Sequence, residues 1–193
     1  TAPSIQVLDF TRQQKLRNRK LEGKNALVVG NPTMPKIELG DLKMNLSALP
    51  GSEKEANTVA KLLDTQALIG NKANKAKVIE KMQNAGTIHL ATHGLLQDFK
   101  GFGVPGAIVL AEDSTPIQKD GINGLLTASE ILDMKLRADL VVLSACDTGR
   151  GKITGDGVIG LSRSLISAGV PSVIVSLWKV NDNSTEFLMS EFY

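Results

Sequence analysis

Leu140-Val141-Val142-Leu143 is apolar at every position. A strand with one wet face alternates in polarity, whereas a strand covered on both faces is apolar throughout, as in parallel sheets sandwiched between helices. The run stops abruptly at Ser144-Ala145-Cys146-Asp147-Thr148-Gly149. Ile88-His89-Leu90-Ala91-Thr92-His93-Gly94 has the same form, with a reactive side chain and then glycine at its end. Open α/β sheets collect their functional groups at the carboxyl ends of strands. Two such strands in one parallel sheet bring His93 and Cys146 to the same edge, which is what a cysteine nucleophile and its base require.

A lone cysteine is more often an inert core residue than a nucleophile, and a lone histidine beside a strand is more often a structural hydrogen-bonding group. Three features favour chemistry here. Both residues stand where a strand ends. Both have small residues close by, Gly94 and Thr148-Gly149, which let backbone amides approach a ligand. His89, inside the apolar run, provides the contrast and reads as structural.

Helical and strand patterns alternate along the rest of the chain. A helix is expected over 3–17 and a short buried strand over 26–29, followed by a long surface loop over 31–50. Ser52 with Glu55 reads as a capping box opening a helix through Leu63. A strand at 66–69 and a helix at 74–84 precede the His93 strand at 87–91. A glycine-rich loop at 94–105 leads to a strand at 106–111 and a turn-rich hairpin segment ending near Gly124. Thr127 with Glu130 is a second capping-box pattern, starting a helix through Met134. The Cys146 strand at 139–145, a helix at 155–168 closed by Gly169, a strand at 172–177 and a last helix entered from Asn181-Asp182-Asn183-Ser184 complete the pattern. The expectation is an α/β fold with a mainly parallel sheet covered by helices on both faces.

At 193 residues with 42% hydrophobic content, the chain suits one domain with a substantial core. A net charge of +2 gives no case for nucleic-acid binding. The basic run Arg12, Lys15, Arg17, Arg19, Lys20 and Lys24 reads as a solvated helix end or linker. No apolar stretch spans a bilayer, and no secretory signal pattern opens the chain. A single cysteine excludes an internal disulfide and suits a reducing, cytoplasmic location. No metal or cofactor is called for by any motif. The start at Thr1 and the end at Tyr193 inside a helical pattern suggest a domain truncated at both ends and taken from a longer protein.

His-Leu-Ala-Thr-His-Gly at 89–94 and Leu-Ser-Ala-Cys-Asp-Thr-Gly at 143–149 resemble the histidine and cysteine motifs of CHAT domains. Gly155-Asp156-Gly157-Val158-Ile159-Gly160-Leu161-Ser162-Arg163 resembles the helix after the cysteine. Ser176-Leu177-Trp178-Lys179-Val180-Asn181-Asp182 resembles the late strand-and-loop motif. Four motifs in order are far more specific than one. They cover roughly residues 85 to 193, and the resemblance extends more loosely to residue 1. It implies a caspase-like fold, related to caspases, metacaspases and separases, and a cysteine endopeptidase with a His93–Cys146 dyad. It further implies oxyanion donors at the backbone N–H groups of Gly94 and Cys146. CHAT domains commonly follow tetratricopeptide repeats in bacterial proteins, cyanobacterial ones among them, so such repeats and a protein or peptide substrate are the expected partners.

Asp98, Asp147 and Asp156 are the carboxylates nearest the dyad in sequence, and any of them can line a pocket for a basic residue before the cut. Alternatively Asp147 bonds its own loop and Asp156 caps its helix. Trp178 either walls a substrate subsite or fills the core. Two other functions compete. The glycine-rich segment 149–157 is a strand-to-helix connection of the kind that cradles phosphate, but it lacks the Gly-Lys-Ser/Thr and GxGxxG spacings. A caspase-like fold can also serve as a catalytically silent interaction module, since fold alone never establishes chemistry.

Overall fold

The computed structural model describes residues 5–18, 25–39, 42–95, 105–114, 123–147, 155–176 and 182–193. Its main sheet is built on β1 (Ala26–Pro32), β4 (Leu68–Gly70), β5 (Thr87–Leu95), β8 (Leu140–Asp147) and β9 (Val173–Val175), all parallel, in the spatial order β4-β1-β5-β8-β9. A short antiparallel extension, β6 (Ala107–Val109) with β7 (Leu125–Thr127), joins β5 at its carboxyl end. The mainly parallel α/β sheet expected from the apolar runs is the observed one.

Alternation along the central strands separates two faces. Leu27, Val29, Ile88, Leu90, Val141 and Leu143 point into the larger core. There they meet Val78 and Met82 of α3 (Lys75–Met82), Ala128 and Ile131 of α4 (Ala128–Leu132), and Leu161 and Leu165 of α5 (Gly155–Ser167). Val28 faces the other way, against Ala56, Val59 and Ala60 of α2 (Pro50–Leu62), joined by Met189 and Tyr193 at the end of the chain's last helix. That helix, α6 (Asp182–Phe192), and α2 cover this second face. The remaining helix, α1 (Ile5–Asn18), reaches α5 through Gln14 Nε2, which donates to the Ile166 carbonyl.

Three expectations need correction. The segment 31–50 is not simply a loop: β2 (Ile37–Leu39) and β3 (Leu42–Met44) form an antiparallel pair. Ile37, with Met34, Met44 and Leu46, closes a small core over Leu95, Ala107, Val109 and Leu125. Strands of three residues leave too short a pattern to read, and this pair is held by burial. Ser52 is not an N-cap either. Helix α2 starts at Pro50, whose missing N–H and fixed φ suit the first turn. Ser52 and Glu55 lie inside the helix and form tertiary bonds instead. The Thr127–Glu130 capping box, by contrast, is present in both its bonds. Finally, β5 and β8 run past Ala91 and Ala145, so His93, Gly94 and Cys146 sit within paired strand rather than beyond it.

Candidate active site

β5 is central because it is paired on both sides. β8 lies alongside it from Thr87 to Gly94. On the other side β1 pairs with Thr87 to Ala91, and β6 then takes over at Gly94 and Leu95. Thr92 Oγ1 donates to the Val109 carbonyl at 2.8 Å and helps hold β6 in place. The ladder between β5 and β8 puts His93 directly opposite Cys146 and Gly94 opposite Asp147. The expected juxtaposition on adjacent parallel strands is therefore present at the level of the backbone.

His93 is completely buried. Its Nε2 lies 2.7 Å from the carbonyl oxygen of Ser47, in the connection between β3 and α2. A carbonyl only accepts, so Nε2 carries the proton, and in the neutral ring the lone pair is on Nδ1. A backbone carbonyl thus fixes the orientation of the His93 ring. Ser47 was not legible as part of the site, because any residue supplies a carbonyl.

His89 belongs to a different cluster. It is fully buried, with Nε2 2.9 Å from Glu55 Oε1 and Nδ1 3.3 Å from the Tyr193 hydroxyl. The Tyr193 ring stands edge-on to the imidazole, with centroids 5.5 Å apart. Burial, and secondly the negative charge of Glu55, hold the Tyr193 hydroxyl well above its usual pKa. This network ties α2, β5 and the end of α6 together, and the structural reading of His89 agrees with it.

Of the specificity candidates, Asp147 occupies the register position beside Gly94 and Asp156 lies in α5. Asp98 and Trp178 fall outside the described residues, as does most of the glycine-rich segment 149–157 and of the loop 94–105. Among the described residues no group of His, Cys, Asp and Glu is arranged to hold a metal, and no helix is long and apolar enough to cross a membrane.

The family profile described as the CHAT domain matches residues 1–193. Human tetratricopeptide repeat protein 28 is 31% identical over an alignment covering 99% of this chain. The mouse protein of the same name is 30% identical over 87% of it. The chain spans only 9% and 8% of those two proteins. These relatives share the expected association with tetratricopeptide repeats, while their source is mammalian rather than bacterial.

Proposed function

The chain belongs to the CHAT domain family, within the caspase-like peptidase superfamily, and from that premise we propose that it is a cysteine endopeptidase. Cys146 is the nucleophile and His93 its base. The observation that supports this most directly is the register pairing of His93 with Cys146, on a ring whose Nε2–H is held by the Ser47 carbonyl.

An ordinary thiol, with a pKa of about 8.5, is only a few per cent ionised at neutral pH. The Nδ1 lone pair of His93 takes the thiol proton, and the sulfur attacks the scissile carbonyl. Negative charge then gathers on the carbonyl oxygen, where the N–H groups of Gly94 and Cys146 act as donors. Glycine at 94 leaves the approach clear of a side chain. A donor of this kind is worth about 10²–10³ in rate. Collapse of the intermediate breaks the C–N bond, and the imidazolium gives its proton to the leaving amine. Water, deprotonated by His93, hydrolyses the thioester and restores the thiol.

The substrate is a protein or peptide cut after a basic residue, with Asp98 or Asp147 supplying the opposing charge and Trp178 a subsite wall. A buried carboxylate discriminates well, because a neutral or acidic residue leaves it unpaired. Tetratricopeptide repeats in the same full-length chain and a cytoplasmic location complete the proposal.

Peptide-library cleavage by the full-length protein, with Cys146→Ala as control, is the test. Cleavage lost in Cys146→Ala and focused on Lys or Arg is expected. Cleavage after Asp or large apolar residues discards the pocket and keeps the dyad. Labelling of Cys146 by no peptidyl electrophile leaves the silent interaction module as the reading. A nucleotide-induced thermal shift in place of labelling favours phosphate binding.

A further inference from the structure

The Ser47 carbonyl must stay in one position if the His93 ring is to keep one orientation, yet residues 45–49 belong to no helix or strand. Upstream, Met44 and Leu46 anchor the stretch in the small core beneath β6 and β7. Downstream, the Leu49 N–H donates to Asn31 Oδ1 at 2.8 Å. Asn31 commits its donors to the same region. Its backbone N–H donates to Ser52 Oγ at 3.2 Å, and Nδ2 donates to Glu53 Oε2 at 2.9 Å. Ser52 Oγ in turn donates to the Leu49 carbonyl at 2.9 Å. Asn31 holds φ at 41°, in the left-handed region that asparagine enters more readily than other residues with a Cβ. The residue before it, Gly30, has no room for a Cβ against Ser52 and Ala56. The end of β1 and the first turn of α2 are thus locked together by one side chain, whose bond to Leu49 lies two residues along the chain from Ser47.

We propose that Asn31 is a positioning residue for the His93–Cys146 pair. Through Leu49 it fixes the Ser47 carbonyl, and through that carbonyl it fixes the Nε2–H tautomer of His93, leaving Nδ1 to receive the Cys146 proton. The inference rests on the dyad reading given above. Residues that merely hold up the fold change stability. A residue that acts through the base changes the pH at which the thiol becomes reactive.

The experiment is alkylation of Cys146 by iodoacetamide across pH in the full-length protein, read site by site by peptide mass spectrometry, alongside kcat and KM on a cleaved peptide. Asn31→Gly is the informative variant, since glycine accepts the left-handed backbone while both side-chain bonds are deleted. Its alkylation at neutral pH should fall about tenfold, with kcat falling in step at nearly constant KM. Its pH profile should move toward that of an ordinary thiol, near 8.5. Asn31→Asp combined with Glu53→Gln keeps an acceptor for the Leu49 N–H and should keep the wild-type profile. Loss of that profile in the double variant overturns the proposal, even where Asn31→Gly fails to fold. So does an unchanged profile in folded Asn31→Gly. His93→Ala separates the two levels. A profile altered in His93→Ala but not in Asn31→Gly removes Asn31 alone, whereas an unaltered His93→Ala removes the dyad and the proposal with it.

Discussion

At the scale of single residues, the two histidines of one strand divide the work, and their partners say how. His93 meets a carbonyl from a connection, while His89 meets a carboxylate from α2 and the phenol that directly follows α6. His89→Gln should lower stability by about 1–3 kcal/mol, the cost of leaving Glu55 or Tyr193 poorly partnered in the interior. Urea denaturation measures this, and the folded variant should retain Cys146 reactivity. Equal loss of reactivity in a folded His89→Gln protein would contradict the division. Tyr193 adds a pH dependence with a definite sign. Its pKa is raised in the folded state, so the native protein keeps a proton that the unfolded chain releases above about pH 10. Stability from this group is complete below that pH and declines as pH rises above it. Tyr193→Phe should show a shallower alkaline loss of stability than wild type in parallel melts at pH 9 to 11, at the expense of about 0.5–1.5 kcal/mol near neutrality for the lost hydrogen bond. The structural role of His89 was legible from its place inside an apolar run. Its partners were not, because Glu55 and Tyr193 come from distant segments. Ser52 and Glu55 even imitated a capping box while serving Asn31 and His89.

At the scale of elements, local signals are legible in the sequence and tertiary ones are not. Thr127 and Glu130 bond each other within one turn, so their capping box follows from spacing. Pro50, not Ser52, marks the start of α2, and the hairpin of β2 and β3 depends on the core it covers. The strands β5 and β8 extend farther than their apolar runs because β6 and the mutual register recruit His93 through Leu95 and Cys146 through Asp147. The crossing of α2 over β1 offers the sharpest test. A Cβ on Gly30 would stand 2.3 Å from Ala56 Cβ and 2.5 Å from the Ser52 carbonyl oxygen. The second contact is with backbone and cannot rotate away. Gly30→Ala should therefore destabilise by about 1–3 kcal/mol through displacement of α2, seen as a lower urea midpoint at unchanged m. Gly70→Ala, whose site is spacious but whose φ is 57°, should act through backbone strain instead, and so leave the contact between β1 and α2 intact.

At the scale of the whole molecule, the sheet was legible because strands buried on both faces advertise themselves, and two of them carried the candidate site. What the apolar pattern could not convey is how completely His93 is buried. His93 has no exposed surface, so under the proposed function a peptide reaches its ring only after covering groups move. Residues 1–193 alone should therefore turn over library peptides at least about tenfold more slowly than the full-length protein. Equal turnover in side-by-side kinetics would show that enclosure sets no limit on the rate. The adjacency of β5 and β8 has one more consequence. His93 and Cys146 belong to neighbouring strands, but β6, β7 and α4 intervene between them in the chain. During synthesis His93 emerges before Cys146, and the two meet only when β8 docks on β5, a non-local pairing. A chain whose β8 has not docked keeps His93 and Cys146 apart, so under the proposed function the pair is assembled only in copies that have finished folding.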